Sequence, residues 1–98
     1  MLINKQIDGT KLTIALEGRL ETTAAYELAA ELRTSVKGIK ELVFDMTKLD
    51  YISSAGLRVL QRAQKVMNKQ GNMTVKNANS DVRGIFEVTG FDEILNIE

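Results

Sequence analysis

The 98-residue chain contains no cysteine, no histidine and no proline. Without cysteine it has no disulfide, no thiolate nucleophile and no zinc–sulfur site. Without histidine it lacks the usual general base of hydrolases and the commonest metal ligand. It also has no surplus of charge, with 13 Lys plus Arg against 13 Asp plus Glu. Bulk attraction to nucleic acid needs a cationic excess or patch, and attraction to an anionic membrane needs charge gathered on one face. Neither direct DNA binding nor membrane binding is therefore expected. No apolar run approaches the ~20 residues of a membrane span. The opening M-L-I-N-K-Q is too polar for a signal peptide, so the cytoplasm is the expected location. The chain has no internal repeat, no linker and no low-complexity tract. The motifs G-x-x-x-x-G-K-[ST], G-x-G-x-x-G and G-x-S-x-G are all missing.

What is present reads as one small α/β domain over residues 1–98, its core limited because a chain this short buries only roughly 60–65% of its unfolded surface. Residues 2–7 form a short edge strand, Asp8-Gly9 a turn, and 11–17 a strand in which Leu12, Ile14 and Leu16 alternate with Thr13 and Ala15. Gly18 is expected to end that strand. Thr22 or Thr23 then caps a helix over 24–36 carrying Ala25, Leu28, Leu32 and Val36, with Gly38 as its stop. Residues 40–46 hold the Leu-Val-Phe run of a central strand. After a connector over 47–53, a second helix covers about 54–69 with Leu60, Ala63 and Met67 inward and Gly71 closing it. A strand over 73–76 comes next, then a short helix capped by Asn79 or Ser80 and stopped at Gly90. A final strand is expected over 93–97. The order β-β-α-β-α-β-α-β predicts a mixed, mostly parallel sheet of about four to five strands with right-handed crossovers.

The stretch D-Y-I-S-S-A-G-L, residues 50–57, concentrates the chemistry. Two serines stand where the second helix begins. Either can cap it by accepting a backbone N–H, a contribution of about 1 kcal/mol. The same place favours a phosphate, because a helix start offers unpaired N–H donors and the positive end of the macrodipole. Ala55 and Gly56 leave the surroundings bare, so a partner is expected to approach the backbone there. Catalysis by the serine has little support without a histidine base. The carboxylates Glu21, Asp45 and Asp50 belong to loops that gather at the carboxyl ends of the strands. They read as turn and helix-start residues, or as a set able to hold Mg²⁺ transiently or to orient the serine. Arg58, Arg62, Lys65 and Lys69, spaced by 4, 3 and 4, form a basic stripe that starts beside Ser54. It is either a solvated face or a partner surface, and no aromatics accompany it for stacking on single-stranded nucleic acid.

Residues 45–60, D-M-T-K-L-D-Y-I-S-S-A-G-L-R-V-L, resemble the signature of STAS domains, in particular the single-domain bacterial anti-sigma factor antagonists. G-R-L-E over 18–21 is similar to that family's Gly-x-Leu-Asp before the first helix, and the order of elements agrees over all 98 residues. The resemblance implies a protein that is not an enzyme and needs no cofactor or metal. Its unphosphorylated form binds an anti-sigma factor that is also a serine kinase, and so releases a sigma factor. The kinase phosphorylates the serine at the position of Ser54, with Ser53 a weaker competitor, and a serine phosphatase resets it. Together with the basic stripe, this makes Glu21, Asp50, Ser53, Ser54, Ala55, Gly56, Arg58 and Arg62 the expected partner-binding residues. Two positions depart from the pattern: Ser53 replaces an Asp, and Glu21 replaces the Asp of the first motif while keeping its charge. The alternative is a constitutive STAS subunit of a transporter or sensory complex in which Ser54 only caps the helix. A small nucleotide- or metabolite-binding domain is a third reading. A monomer or weak dimer is expected, since the first strand leaves a sheet edge open.

Overall fold

Leu12, Ile14 and Leu16 alternate with less buried neighbours along one strand, as a sheet with one covered face requires. In the computed structural model, which describes all 98 residues, β1 (Leu2–Asp8) and β2 (Lys11–Leu20) form an antiparallel hairpin; its two-residue turn is Gly9-Thr10, one residue later than expected, because Asp8 still pairs with Lys11. Helix α1 (Thr22–Ser35) leads to β3 (Glu41–Ile52), α2 (Ser54–Gln70) to β4 (Asn72–Lys76), and α3 (Ser80–Thr89) to a 3-10 turn at Phe91–Glu93. The sheet order is β1-β2-β3-β4, with β3 parallel to both β2 and β4. No helix is long and apolar enough to cross a membrane.

One hydrophobic core lies between the sheet and the helices. Ile14, Phe44 and Val75 meet Leu28 of α1, Leu60 of α2 and Phe86 of α3 within it. Thr13, Val43 and Thr74, aligned across β2, β3 and β4, point to the opposite face; Val43 is buried yet outside the core cluster. Gly71 ends α2 where a Cβ would collide with the Lys40 carbonyl, so the exit of α2 presses on the entry to β3. Gly90 is left-handed, φ 78°, and stops α3 as expected.

Four further expectations change. The strands β2 and β3 continue past 17 and 46 to Leu20 and Ile52. Gly18, at φ +110°, does not end β2 but takes up a register shift, one of two between β2 and β3. The residues expected as a connector instead pair Arg19 with Tyr51 and Leu20 with Ile52. At the start of α1, Glu21 occupies the cap position but its side chain accepts no N–H of the helix, and Thr22 and Thr23 belong to the first turn. Finally, residues 93–97 are not a strand. The chain spends residues 91–95 on a tight turn that buries Leu95. Only Ile97 then reaches the sheet, in a single parallel bridge to Val75. The observed order therefore ends at α3, β-β-α-β-α-β-α, on a four-stranded sheet.

Candidate functional site

The last residues of β2 and β3 lie side by side, and each strand runs directly into a helix. Both helix starts therefore fall at the carboxyl edge of the parallel strands, the usual place for function in α/β sheets. Ser53 joins the two. Its backbone is extended, its hydroxyl accepts the Gly56 N–H at 3.2 Å, and the same hydroxyl donates to the Leu20 carbonyl at 2.9 Å. Its own N–H donates to that carbonyl as well, at 2.9 Å. Ser53 is therefore the cap of α2 and the tie between its start and the end of β2.

Ser54 is then the first residue of α2 rather than its cap. This corrects the alternative in which Ser54 serves only as a cap: that task is done by its neighbour. Ser54 is exposed, and its hydroxyl makes no hydrogen bond within the chain. The reason is geometric, because a cap needs extended backbone and Ser54 is already helical.

Gly56 also departs from expectation. It does not open the surface to a partner, since it is buried: a Cβ would come within 2.8 Å of Leu20 Cγ and 2.9 Å of Ile52 Cγ1. The glycine lets α2 approach the two strand ends closely. Ala55 is half-buried and packs against the core.

Ser54, Ala55, Arg58 and Arg62 line one hollow of about 610 Å³ together with Thr22 and Tyr26 of α1. Tyr26 is 70% exposed, large and aromatic, and no motif in the sequence singles it out. Its place beside Ala25 and off the inward set Ala25, Leu28 and Leu32 was the available signal. Glu21 lies in the adjoining hollow with Thr22 and is paired with Arg19 at 3.2 Å. The Arg19 guanidinium in turn stacks 4.5 Å from the centre of the Tyr51 ring. Asp50 is exposed on β3 and belongs to neither hollow.

The carboxylates do not assemble into a metal centre. Asp45 accepts from the Thr47 hydroxyl at 2.6 Å, the Thr47 N–H at 3.1 Å and the Asn77 amide at 3.2 Å. The Thr47 hydroxyl bond, with the two others, outweighs partial burial and holds the Asp45 carboxyl below its ordinary value of 3.8. Its role is to tie β3 to the segment after β4. No three His, Cys, Asp or Glu side chains gather into a metal-binding group.

A mixed four-stranded sheet with three helices packed on one core, and a bare serine at a helix start, define a small α/β domain. The chain belongs to the STAS domain family, whose profile matches residues 2–98. It is 40% identical over 94 residues, 94% of this chain and 80% of the relative, to BtrV of Bordetella bronchiseptica, a candidate anti-sigma factor antagonist. The fold is similar to that of the anti-sigma factor antagonist SpoIIAA in its unphosphorylated form, with TM-score 0.82, 18% identity, and 99% of this chain and 88% of that one covered. It is similar also to the Bacillus cell fate determinant SpoIIAA in its phosphorylated form, with TM-score 0.78, 15% identity, and 99% and 91% covered.

Proposed function

We propose that this protein is an anti-sigma factor antagonist switched at Ser54. The unmodified chain binds an anti-sigma factor with serine kinase activity and so frees a sigma factor. The kinase then phosphorylates Ser54 and ends the interaction, and a serine phosphatase restores it. In this reading the chain is a cytoplasmic binding partner and not itself an enzyme. The family membership and the 40% identical relative support the antagonist role.

The observation that carries the switch is the division of labour between the two serines. Ser53 satisfies the helix start, and Ser54 is left exposed and unbonded beside it. A phosphate added to Ser54 brings about −1.5 to −2 charges to the positive end of the α2 dipole, where it breaks no existing hydrogen bond. The fold tolerates it. A partner packed on the unmodified surface does not, because it must desolvate a dianion against groups that fitted a hydroxyl. Each 1.4 kcal/mol of that cost is about tenfold in affinity.

Incubation with ATP and the cognate anti-sigma kinase, followed by peptide mass mapping, tests this. The expected result is one phosphate on Ser54, abolished in Ser54→Ala, and binding lost in the phosphorylated chain. Undiminished labelling of Ser54→Ala rejects the assignment.

A further inference from the structure

Helices α1 and α2 leave a groove between them that runs away from Ser54. At its serine end is the hollow lined by Ser54, Tyr26 and Arg58; a second hollow of about 370 Å³ lies further along, lined by Val66, Lys37 and Gln70. The two share Ala29, Val59, Arg33 and Arg62, so they are one continuous feature. Alongside the 17 residues of α2 it extends roughly 25 Å, at ~1.5 Å per residue. Its floor is apolar, with Val59 and Ala63 nearly buried and Val66 41% exposed.

The rim carries charge of one sign. Arg33, Lys37, Arg58 and Arg62 line the groove, and no Asp or Glu does. The three ion pairs of the molecule are Lys5–Glu31, Arg19–Glu21 and Lys76–Glu98. None involves a rim residue. Glu31 of α1 is directed to Lys5 of β1, at 3.0 Å, which leaves Arg33 on the groove side without an acidic neighbour. The zero net charge of the chain thus conceals a cationic track. Four unpaired cations around an apolar floor are complementary to a segment with an apolar face flanked by carboxylates, and two packed helices offer the seat for a third.

We propose that this groove docks an acidic amphipathic helix of the partner anti-sigma factor, a proposal that rests on the reading that Ser54 faces that partner. The apolar side of the helix lies on Ala29 and Val59, and its carboxylates meet Arg33, Arg58 and Arg62. The switch then gains a second lever. A phosphate on Ser54 lies one helical turn from Arg58, draws that guanidinium away from the partner's carboxylates and repels them directly. Phosphorylation weakens an acidic partner more than it weakens a neutral one.

The test uses two fluorescent peptides of about 18 residues, about five helical turns, with one common Leu/Ala face and either Glu or Lys on the polar face. The Glu peptide is expected to bind the unmodified chain at least ~tenfold tighter than its Lys twin, with the advantage shrinking from about 0.1 to about 1 M salt. Methyl chemical shifts should move at Ala29 and Val59. The double variant Arg33→Glu/Arg62→Glu, both sites exposed and its folding checked by circular dichroism, should invert the preference. Phosphoserine at 54 should weaken the Glu peptide. Equal binding of the two peptides, shifts confined to another surface, or a preference unmoved by the charge reversal overturns the proposal. So does sedimentation of the parent as a dimer that Arg62→Glu dissolves, because the occupant is then a second copy of the chain. A chain labelled on Ser54 that shows no Glu preference keeps the switch and loses the groove; a clear preference with no label on Ser54 does the reverse.

Discussion

Ser53 and Asn79 perform the same task at the starts of α2 and α3. Each side chain accepts the N–H three residues on, from Gly56 or Val82, and donates to a strand carbonyl, of Leu20 or Leu49. Each is succeeded by an exposed serine that opens the helix, Ser54 or Ser80. The two serines share a helix dipole, a capped start and exposure, so these features make a phosphate structurally tolerable at either position and do not choose between the two. The charge of the residues beyond each serine does. Ser80 precedes Asp81, and residues 80–98 hold five acidic residues and one basic, net −4. Ser54 precedes Ala55 and Gly56, and residues 54–70 hold four basic residues and no acidic one, net +4. A phosphate is electrostatically welcome at the first start and opposed at the second. Ser80 is therefore an internal control for the labelling experiment: a kinase that reads only an exposed helix-start serine marks both, and one that reads the surroundings marks Ser54 alone.

The two helices differ most at the glycines inside them. Gly56 has Leu20 and Ile52 within 3 Å of where a Cβ would stand, whereas Gly84 has nothing within 4 Å. Gly56→Ala should cost about 1–3 kcal/mol through overpacking. Gly84→Ala should stabilise by about 0.5–1 kcal/mol, because alanine loses less backbone freedom in a helix. For a chain of this length each kcal/mol moves Tm by about 4–8 °C. Thermal melts of the pair should therefore diverge in opposite directions, and a neutral Gly56→Ala contradicts the close approach of α2 to the strand ends.

The caps come next in size. Ser53→Ala and Asn79→Ala should each cost about 1 kcal/mol, within the roughly 0.5–2 kcal/mol usual for a lost cap. The sharper outcome concerns function. Ser53→Ala should melt earlier yet still be labelled on Ser54, since the capping hydroxyl and the acceptor hydroxyl are different groups. If Ser53→Ala abolishes labelling while the helix remains folded by circular dichroism, the two serines are not separable and the division of labour fails.

Much of this was legible in the residues. Alternation in β2, helical spacing in α1 and α2 and the Leu-Val-Phe run of β3 are local periodicities, and each led to the right element. The I-S-S-A-G-L stretch pointed to the candidate site through its resemblance to a known pattern. The parts that escaped depend on contacts distant in sequence. Whether Ser53 or Ser54 caps α2 turns on the Leu20 carbonyl, 33 residues away. Whether Gly56 faces out or in turns on the same Leu20. The strand ends were missed because Gly18 reads as a break, and only pairing with β3 reveals it as a register shift. The final strand was lost to a turn set by Gly90, since the apolar residues Ile94, Leu95 and Ile97 cannot say how far the chain must travel to bury Leu95.

The smallest effect lies on the α3 side, at Asp45. Its bonds to Thr47 and Asn77 link β3 to the segment that delivers Asn79, the α3 cap. These bonds favour the charged carboxylate and hold its pKa below 3.8 in the folded chain. A group whose pKa is lower folded than unfolded stabilises the fold where it is ionised, above the unfolded value of about 4, and that contribution is lost as pH falls through the folded value. Asp45→Asn should therefore be less stable than the parent at about pH 7, by less than either cap variant, and the gap should close as the pH drops below about 4. Urea melts across that range read the gap directly, and a gap that stays constant with pH shows that the charge of Asp45 plays no part. Amide exchange supplies the comparison between the helices. The Val82 N–H, held by Asn79, should exchange faster in Asp45→Asn, and the Gly56 N–H, held by Ser53, should not. Equal acceleration at both means that the two helix starts respond as one unit and that the tie through Asn77 does not act on α3 alone.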